Sequence, residues 1–166
     1  MSMTEAIVQD LRNGFDPKGW KHLNTSDLCN LGIKIFELEK WTQDRITRYE
    51  EKSKRYPMRY VGELFDKGER MQHLQRFLTE QFLPLLRIHL AQSSRQELEM
   101  LQMFYGTNTR MQNMIVEFIE LGIAEERHRA LFMSQHRRLG QQSQLGQLSK
   151  EIIQNIYQQS MTRTKR

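Results

Sequence analysis

The sequence predicts an all-α protein, and two observations indicate it. Leu, Met, Gln, Glu and Arg are frequent among the 166 residues, whereas valine, which favours strands, occurs only three times. Apolar residues recur at spacings of three and four, and no stretch alternates convincingly between apolar and polar residues. We therefore expect six to eight helices in a compact bundle or in stacked helical hairpins, with a basic, Gln-rich C-terminal helix and tail.

Caps, prolines and glycines set the expected boundaries of these helices. Pro57 and Pro84 each require an end or a kink, because proline lacks a backbone N–H and clashes with the preceding turn. Ser94 and Glu97 match a capping box that opens a helix, and Gly122 is expected to end another. The helices are expected over 4–12, 27–55, 58–66, 69–83, 94–105, 110–121 and 124–139, with a last one from Leu145.

One predicted helix is apolar over most of its circumference. In the segment 110–121, the polar residues other than Gln112 form a single narrow stripe. A helix of this kind is surrounded by other helices, so we place it at the centre of one core. We expect residues 1–140 to form the helical domain, and residues 141–166 to form a linker, an amphipathic helix and a basic tail.

Composition excludes several classes of protein. The only cysteine, Cys29, excludes an intramolecular disulfide and a zinc site built from cysteines. No apolar run reaches the about 18 residues that span a bilayer, and the N-terminus does not match a secretory signal. We therefore expect an intracellular protein, in the cytoplasm or the nucleus, that is not secreted and has no membrane partner.

No set of catalytic or cofactor-binding residues is complete. Cys29 lies near Asp27 and His22 in the sequence, but a free cysteine is more often a small buried side chain than an activated thiol. Glu125 and His128 have the spacing used in di-iron bundles, which need a second such pair that the sequence lacks. We therefore expect a protein that is not an enzyme and that binds no metal, cofactor or small-molecule substrate.

Two apolar features are candidates for binding a partner. Four methionines lie on consecutive predicted helices, and adaptable binding surfaces use methionine often, although its common role is to fill cores. An apolar stripe near the C-terminus must bury itself on its own core, on a partner or on a second copy. The sequence therefore predicts a non-enzymatic adaptor module that binds a protein partner or itself through Met100, Met103, Met111, Met114, Leu145, Leu148, Ile152 and Ile156.

The net charge of +5 is concentrated near the C-terminus. Lys and Arg outnumber Asp and Glu by 25 to 20, yet the first 122 residues sum to zero. Such a basic cluster binds phosphates non-specifically, although aromatic residues that stack on bases are scarce beside it. The alternative to the adaptor is therefore an RNA-associated helical protein, and a merely solvated tail is the remaining interpretation. The bases concerned are Arg127, Arg129, Arg137, Arg138, Lys150, Arg163, Lys165 and Arg166.

Overall fold

The computed structural model contains helices and no strand over the residues that it describes, which are 2–138, 152–159 and 161. The all-α prediction is therefore confirmed. A 3₁₀ turn at Trp20–His22 and a π-helical turn at Leu78–Phe82 lie between the longer elements. The α-helices of the described chain are α1 (Met3–Arg12), α2 (Thr25–Arg55), α3 (Pro57–Phe77), α4 (Leu83–Gln92), α5 (Arg95–Tyr105) and α6 (Thr109–Arg138).

The chain divides after Leu86 into two compact units. Unit 1, Met1–Leu86, holds α1, α2, α3 and the start of α4, whereas unit 2, Arg87–Arg166, holds the rest of α4 with α5 and α6. The division lies inside a continuous helix, so no linker composition signals it in the sequence. The boundary expected at residue 140 lies outside the described residues.

Side-chain caps begin the first two helices of unit 1. The hydroxyl of Ser2 accepts a hydrogen bond from the backbone N–H of Glu5 at 3.2 Å, and the Glu5 carboxylate accepts one from the Ser2 N–H at 3.1 Å. Asn24 caps α2 by accepting from the N–H of Asp27 at 2.8 Å. α2 then runs for 31 residues to Arg55, and a single residue, Tyr56, separates it from Pro57, which begins α3. The end predicted at Pro57 is therefore confirmed.

α3 is a single helix where the sequence predicts two. The expected interruption near residues 67–68 does not occur, and the helix is continuous to Phe77. Its buried residues, which include Met71 and Leu74, follow one face and pack along α2. Packing along this face holds the segment helical across Gly68, because a glycine costs only about 1 kcal/mol in a helix interior.

The kink predicted at Pro84 takes the form of a π-helical turn. In this turn the N–H of Leu83 bonds to the carbonyl of Leu78, five residues earlier. Pro84 has no N–H to donate to the carbonyl of Glu80, and its ring would clash with that carbonyl in an ordinary α-helix. The wider turn accommodates the proline without ending the helical path.

Three aromatic rings form a cluster in the core of unit 1. The ring centroid of Trp20 lies 5.1 Å from that of Phe77 and 5.8 Å from that of Phe82. The Phe77 and Phe82 centroids are 6.2 Å apart. Edge-to-face and tilted pairs at these distances are favourable. The cluster fixes the turn before α2 against the end of α3. Other buried side chains of unit 1 include Ile7, Leu11, Leu28, Leu31, Ile35 and Leu74.

In unit 2, α5 begins at the predicted capping box. The Ser94 hydroxyl accepts from the N–H of Glu97 at 3.2 Å, and the Glu97 carboxylate accepts from the N–H of Ser94 at 3.3 Å. The end predicted at Gly122 is wrong, because α6 continues through it to Arg138. Gly122 does not adopt a positive φ, the conformation with which glycine commonly ends a helix. Strong helix formers follow it, so the helix continues.

The predicted apolar helix 110–121 forms the start of α6. Its buried side chains, Met111, Met114, Ile115 and Phe118, share one face. The apolar residues elsewhere on its circumference are half-buried rather than enclosed. With Leu90, Leu98 and Leu101, these residues are the buried apolar side chains of the described part of unit 2.

Candidate interaction surfaces

Burial affects both of the groups that the sequence suggests for chemistry, the thiol of Cys29 and the carboxylate of Glu125. Cys29 is fully buried, and burial raises the pKa of its thiol from 9.0 to about 12. The thiol is therefore protonated near neutral pH. Burial also raises the pKa of Glu125, opposed by the positive charge of Arg129. Within the described ranges, no group of three His, Cys, Asp or Glu residues lies close enough to hold a metal ion.

None of the helices that the structure describes is both long enough and apolar enough to cross a bilayer.

α5 presents an apolar face to solvent. Leu98 and Leu101 point into the core, and the opposite side carries Met100, Met103 and Phe104 at helical spacings of three and four. Met103 is 80% exposed, and Phe104 is 66% exposed. Exposed apolar side chains that are neighbours on one helix differ from the isolated ones found on most surfaces. We call Met100, Met103 and Phe104 the α5 face.

The four predicted methionines do not line one groove. Met111 is completely buried and Met114 is nearly so, because both lie on the inward face of α6. They fill the core of unit 2. Met100 and Met103 remain available to a partner.

The predicted C-terminal apolar stripe is described only in part. Ile152 and Ile156 lie in a helical segment over 152–159 and are half-buried. Leu145 and Leu148 lie outside the described residues. Tyr157 and Met161 line a cleft of about 200 Å³ within unit 2, together with residues of α4, α5 and α6.

The predicted basic cluster is likewise described in part. Arg127 and Arg129 are exposed on α6, and the guanidinium carbon of Arg129 lies 5.8 Å from the ring centroid of Tyr157. The backbone at 137–138 is helical, and the side chains there fall outside the described set. The remaining members, Lys150, Arg163, Lys165 and Arg166, lie outside the described residues.

α3 carries a second exposed apolar face that the sequence analysis missed. Met58, Val61 and Phe65 follow one another at spacings of three and four, and Met58 is 90% exposed. The spacing of these three residues indicates an apolar face of a helix. It does not show whether that face is exposed, because the same spacing describes a face that packs inward.

A row of mostly basic side chains along α2 was also missed. Successive members are three or four residues apart, which places them on one face of the helix. We call this row the α2 stripe; it consists of Lys34, Glu37, Trp41, Arg45, Arg48, Lys52 and Arg55.

Aromatic rings and cations alternate on and beside the α2 stripe. Trp41 has the Arg12 guanidinium 5.3 Å from its ring centroid and the Arg45 guanidinium 4.9 Å from it. The Lys52 ammonium lies 5.7 Å from the rings of both Tyr49 and Tyr60. These are distances at which a cation is attracted to the face of a ring. Net charge counted by segment cannot reveal this arrangement, because unit 1 has nearly equal numbers of acids and bases.

Comparison with known proteins assigns no family. Neither a protein family model, nor a curated protein, nor a solved structure matches the chain.

Proposed function

We propose that the protein is a non-enzymatic adaptor module that binds a protein partner through the α5 face. The observation that supports this proposal is the outward position of Met100, Met103 and Phe104, on a helix whose other side is anchored by buried leucines. Methionine adapts its shape to a partner at little cost. Such a face suits the apolar side of a partner helix.

The contacts that hold α5 in place support the proposal that the α5 face is already formed before a partner binds. Its capping box fixes the first turn, and Arg95 is held by Glu99 at 3.3 Å and by Glu126 of α6 at 3.7 Å. A helix that is already held in place loses less freedom on binding than a segment that must first fold. We therefore expect the affinity to depend mainly on Met103 and Phe104, the most exposed members of the face.

The same proposal includes the cellular setting and the C-terminal segment. We infer that the module acts inside the cell, in the cytoplasm or the nucleus, where a single unpaired cysteine is usual. The predicted basic, Gln-rich C-terminal helix, with Leu145, Leu148, Ile152 and Ile156, offers a further apolar contact for the same partner or for a second copy of the chain.

Affinity purification of the full chain from its native cells tests the proposal. Wild-type protein is compared with Met103→Lys/Phe104→Lys, and RNase treatment removes contacts tethered by RNA. We expect a protein that survives RNase and is lost at least tenfold with this variant, because a charge at the centre of an apolar interface is strongly unfavourable.

The control variant makes the same kind of substitution, apolar residue to lysine, on another exposed surface. Met58→Lys/Phe65→Lys places two charges on the exposed face of α3 and should leave the captured protein in place. Identical captures by wild type and both variants would contradict the assignment to the α5 face. Sedimentation of wild-type protein shows whether the captured partner is a second copy.

A further inference from the structure

The α2 stripe and the two tyrosines beside it form a surface that the proposed function does not use. We propose that this surface binds single-stranded nucleic acid, with phosphates on the basic side chains and bases stacked against the aromatic rings. Proteins that bind single strands combine a basic track with aromatic stacking platforms in this way. The inference concerns unit 1 and does not rest on the α5 face, which belongs to unit 2.

The charge of the stripe is suited to a phosphate backbone. Five of its seven members are Lys or Arg and Glu37 is acidic, while the exposed acids Asp44 and Glu51 border the stripe along one side. From Lys34 to Arg55 the helix rises by about 30 Å, at 1.5 Å per residue. Exposed bases along that length can neutralise several successive phosphates. Other bases of α2, such as Lys40 and Lys54, lie off this face.

Two of the cations at the centre of the stripe, Arg45 and Lys52, lie beside aromatic rings rather than carboxylates. No ion pair within the described part of the chain involves Arg45, Arg48 or Lys52. The Arg45 guanidinium stacks by Trp41, lies 5.6 Å from the Tyr49 ring centroid and donates to the Tyr49 hydroxyl at 3.1 Å. Its Nε atom is buried without a hydrogen-bond partner. The charge of Arg45 is therefore oriented in advance and not neutralised.

The exposed part of the Trp41 ring, which the Arg12 and Arg45 guanidiniums do not cover, supplies a platform for a base. Its side chain is 42% exposed and borders a cleft of about 440 Å³, which is also lined by Arg12, Lys34, Glu5 and Glu37. A cleft of this size is in the range that small ligands occupy. Carboxylates there can accept hydrogen bonds from the exocyclic amino groups of bases. The mixed charge of this end thus suits a base, and the wholly basic remainder of the stripe suits phosphates.

The rings distinguish a single strand from other anionic ligands. In a duplex the bases are stacked inside and cannot reach Trp41. An acidic polypeptide or an anionic lipid surface would engage the Lys and Arg side chains and offer Trp41 no ring to stack on. Stacking at Trp41 is therefore the property to measure.

The fluorescence of the full chain reports this stacking directly. The protein has two tryptophans, of which Trp20 is buried and Trp41 is exposed. We expect a 20-nucleotide oligo(U) to quench the emission of Trp41. The quenching should be absent in Trp41→Phe, which retains only Trp20. A matched duplex, polyglutamate and phosphatidylserine vesicles should each bind at least tenfold more weakly and leave the emission unchanged.

Paired substitutions test the basic side chains with matched changes of charge. Arg48→Gln/Lys52→Gln should weaken oligo(U) binding about tenfold and lower the slope of log affinity against log salt by about 1.4, since each phosphate contact in a single strand contributes about 0.7. Lys40→Gln/Lys54→Gln removes the same charge from other faces of α2 and should change affinity less than twofold. Circular dichroism verifies that both variants keep the helical fold.

Three results would overturn the proposal. The first is no salt-dependent binding of oligo(U) at about 50 mM salt, where phosphate contacts must be visible. The second is equal affinity for oligo(U) and for the duplex, polyglutamate or vesicles, which would assign the stripe to another class of ligand. The third is equal loss of affinity in the two paired variants, which would leave only non-specific attraction by net charge.

Discussion

α2 and α6 are nearly equal in length, at 31 and 30 residues, but their second halves differ. Beyond Thr42, α2 is accompanied by α3, so that Tyr49 lies 5.8 Å from the ring of Tyr60. Beyond Leu121, α6 exposes Leu131 and Met133 by more than half, and only a few of its described side chains are partly covered. A helix extension acquires a defined surface where a second helix lies along it.

The same comparison separates the amount of charge from its arrangement. The last 44 residues carry the entire net charge. Among those that the structure describes, one cation lies beside an aromatic ring, in the pair of Arg129 and Tyr157. Unit 1 is close to neutral and contains an ordered row of cations and rings. A count of charges locates bases in the sequence, whereas a binding surface depends on which of them share a face.

The largest effects are expected from the two cores. Phe82→Ala should lower the free energy of unfolding of unit 1 by about 3–5 kcal/mol, and Ile115→Ala should lower that of unit 2 by about 2–5 kcal/mol, because both side chains are completely buried. Hydrogen exchange followed by mass spectrometry should locate each loss of protection in the unit that carries the substitution. Simultaneous loss across both units would contradict the division after Leu86.

The free energy of unfolding of unit 1 should depend on pH through the buried thiol of Cys29. In the folded state its pKa is about 12, and its ordinary value is 9.0. Above pH 9 the unfolded chain loses this proton while the folded chain keeps it, so stability falls as the pH rises. Between about pH 8 and 10.5, wild type should lose about 2 kcal/mol more than Cys29→Ala in urea unfolding. Equal pH profiles of the two proteins would refute this assignment.

Removing exposed charges from each long helix compares their roles in binding. Arg127→Gln/Arg129→Gln should reduce oligo(U) affinity less than twofold, whereas Arg48→Gln/Lys52→Gln should reduce it about tenfold, or about 1.4 kcal/mol. The measurement is a fluorescence titration at fixed salt. A larger loss from the α6 pair would return the nucleic-acid hypothesis to the C-terminal segment.

The smallest effect concerns two capping boxes of the same design. Ser2 caps α1 at the start of unit 1, and Ser94 caps α5 in the interior of the chain. Ser94→Ala should cost unit 2 about 1 kcal/mol. Ser2→Ala should cost unit 1 about half of that. The first turn of α5 is held to α6 by Arg95 and Glu126 and cannot fray to relieve the loss of its cap, whereas no ion pair in the described part of the chain holds the first turn of α1. Thermal unfolding of both variants measures the difference, and a larger cost at Ser2 would show that α1 is needed for unit 1 to fold.

Local signals predicted the helix starts well. The capping box at Ser94 and the proline at Pro57 act through the adjacent backbone, so a few residues specify them. Gly122 misled the prediction for the same reason, and the boundary predicted at 67–68, which contains Gly68, was also wrong. A glycine only weakens a helix locally, and whether the helix ends depends on packing against other elements.

The binding surfaces were less predictable. Met100 and Met114 carry the same side chain at similar helical positions, but one faces solvent and the other fills the core. Burial is decided by contacts between residues distant in sequence, which periodicity along one helix does not contain. The spacing of the α2 stripe could have been found within one helix, but the contacts of Arg12 and Tyr60 could not, since these residues reach it from other helices.

The sequence by itself determined that this chain is helical, where several of its helices begin, and that its excess positive charge lies near the C-terminus. These properties follow from propensities, caps and composition, which act over a few residues. Only the tertiary structure decided that the chain divides within α4, which methionines are exposed, and which cations lie beside rings. Those outcomes depend on how the faces of different helices meet, and the free energy of that packing is shared among residues far apart in the chain.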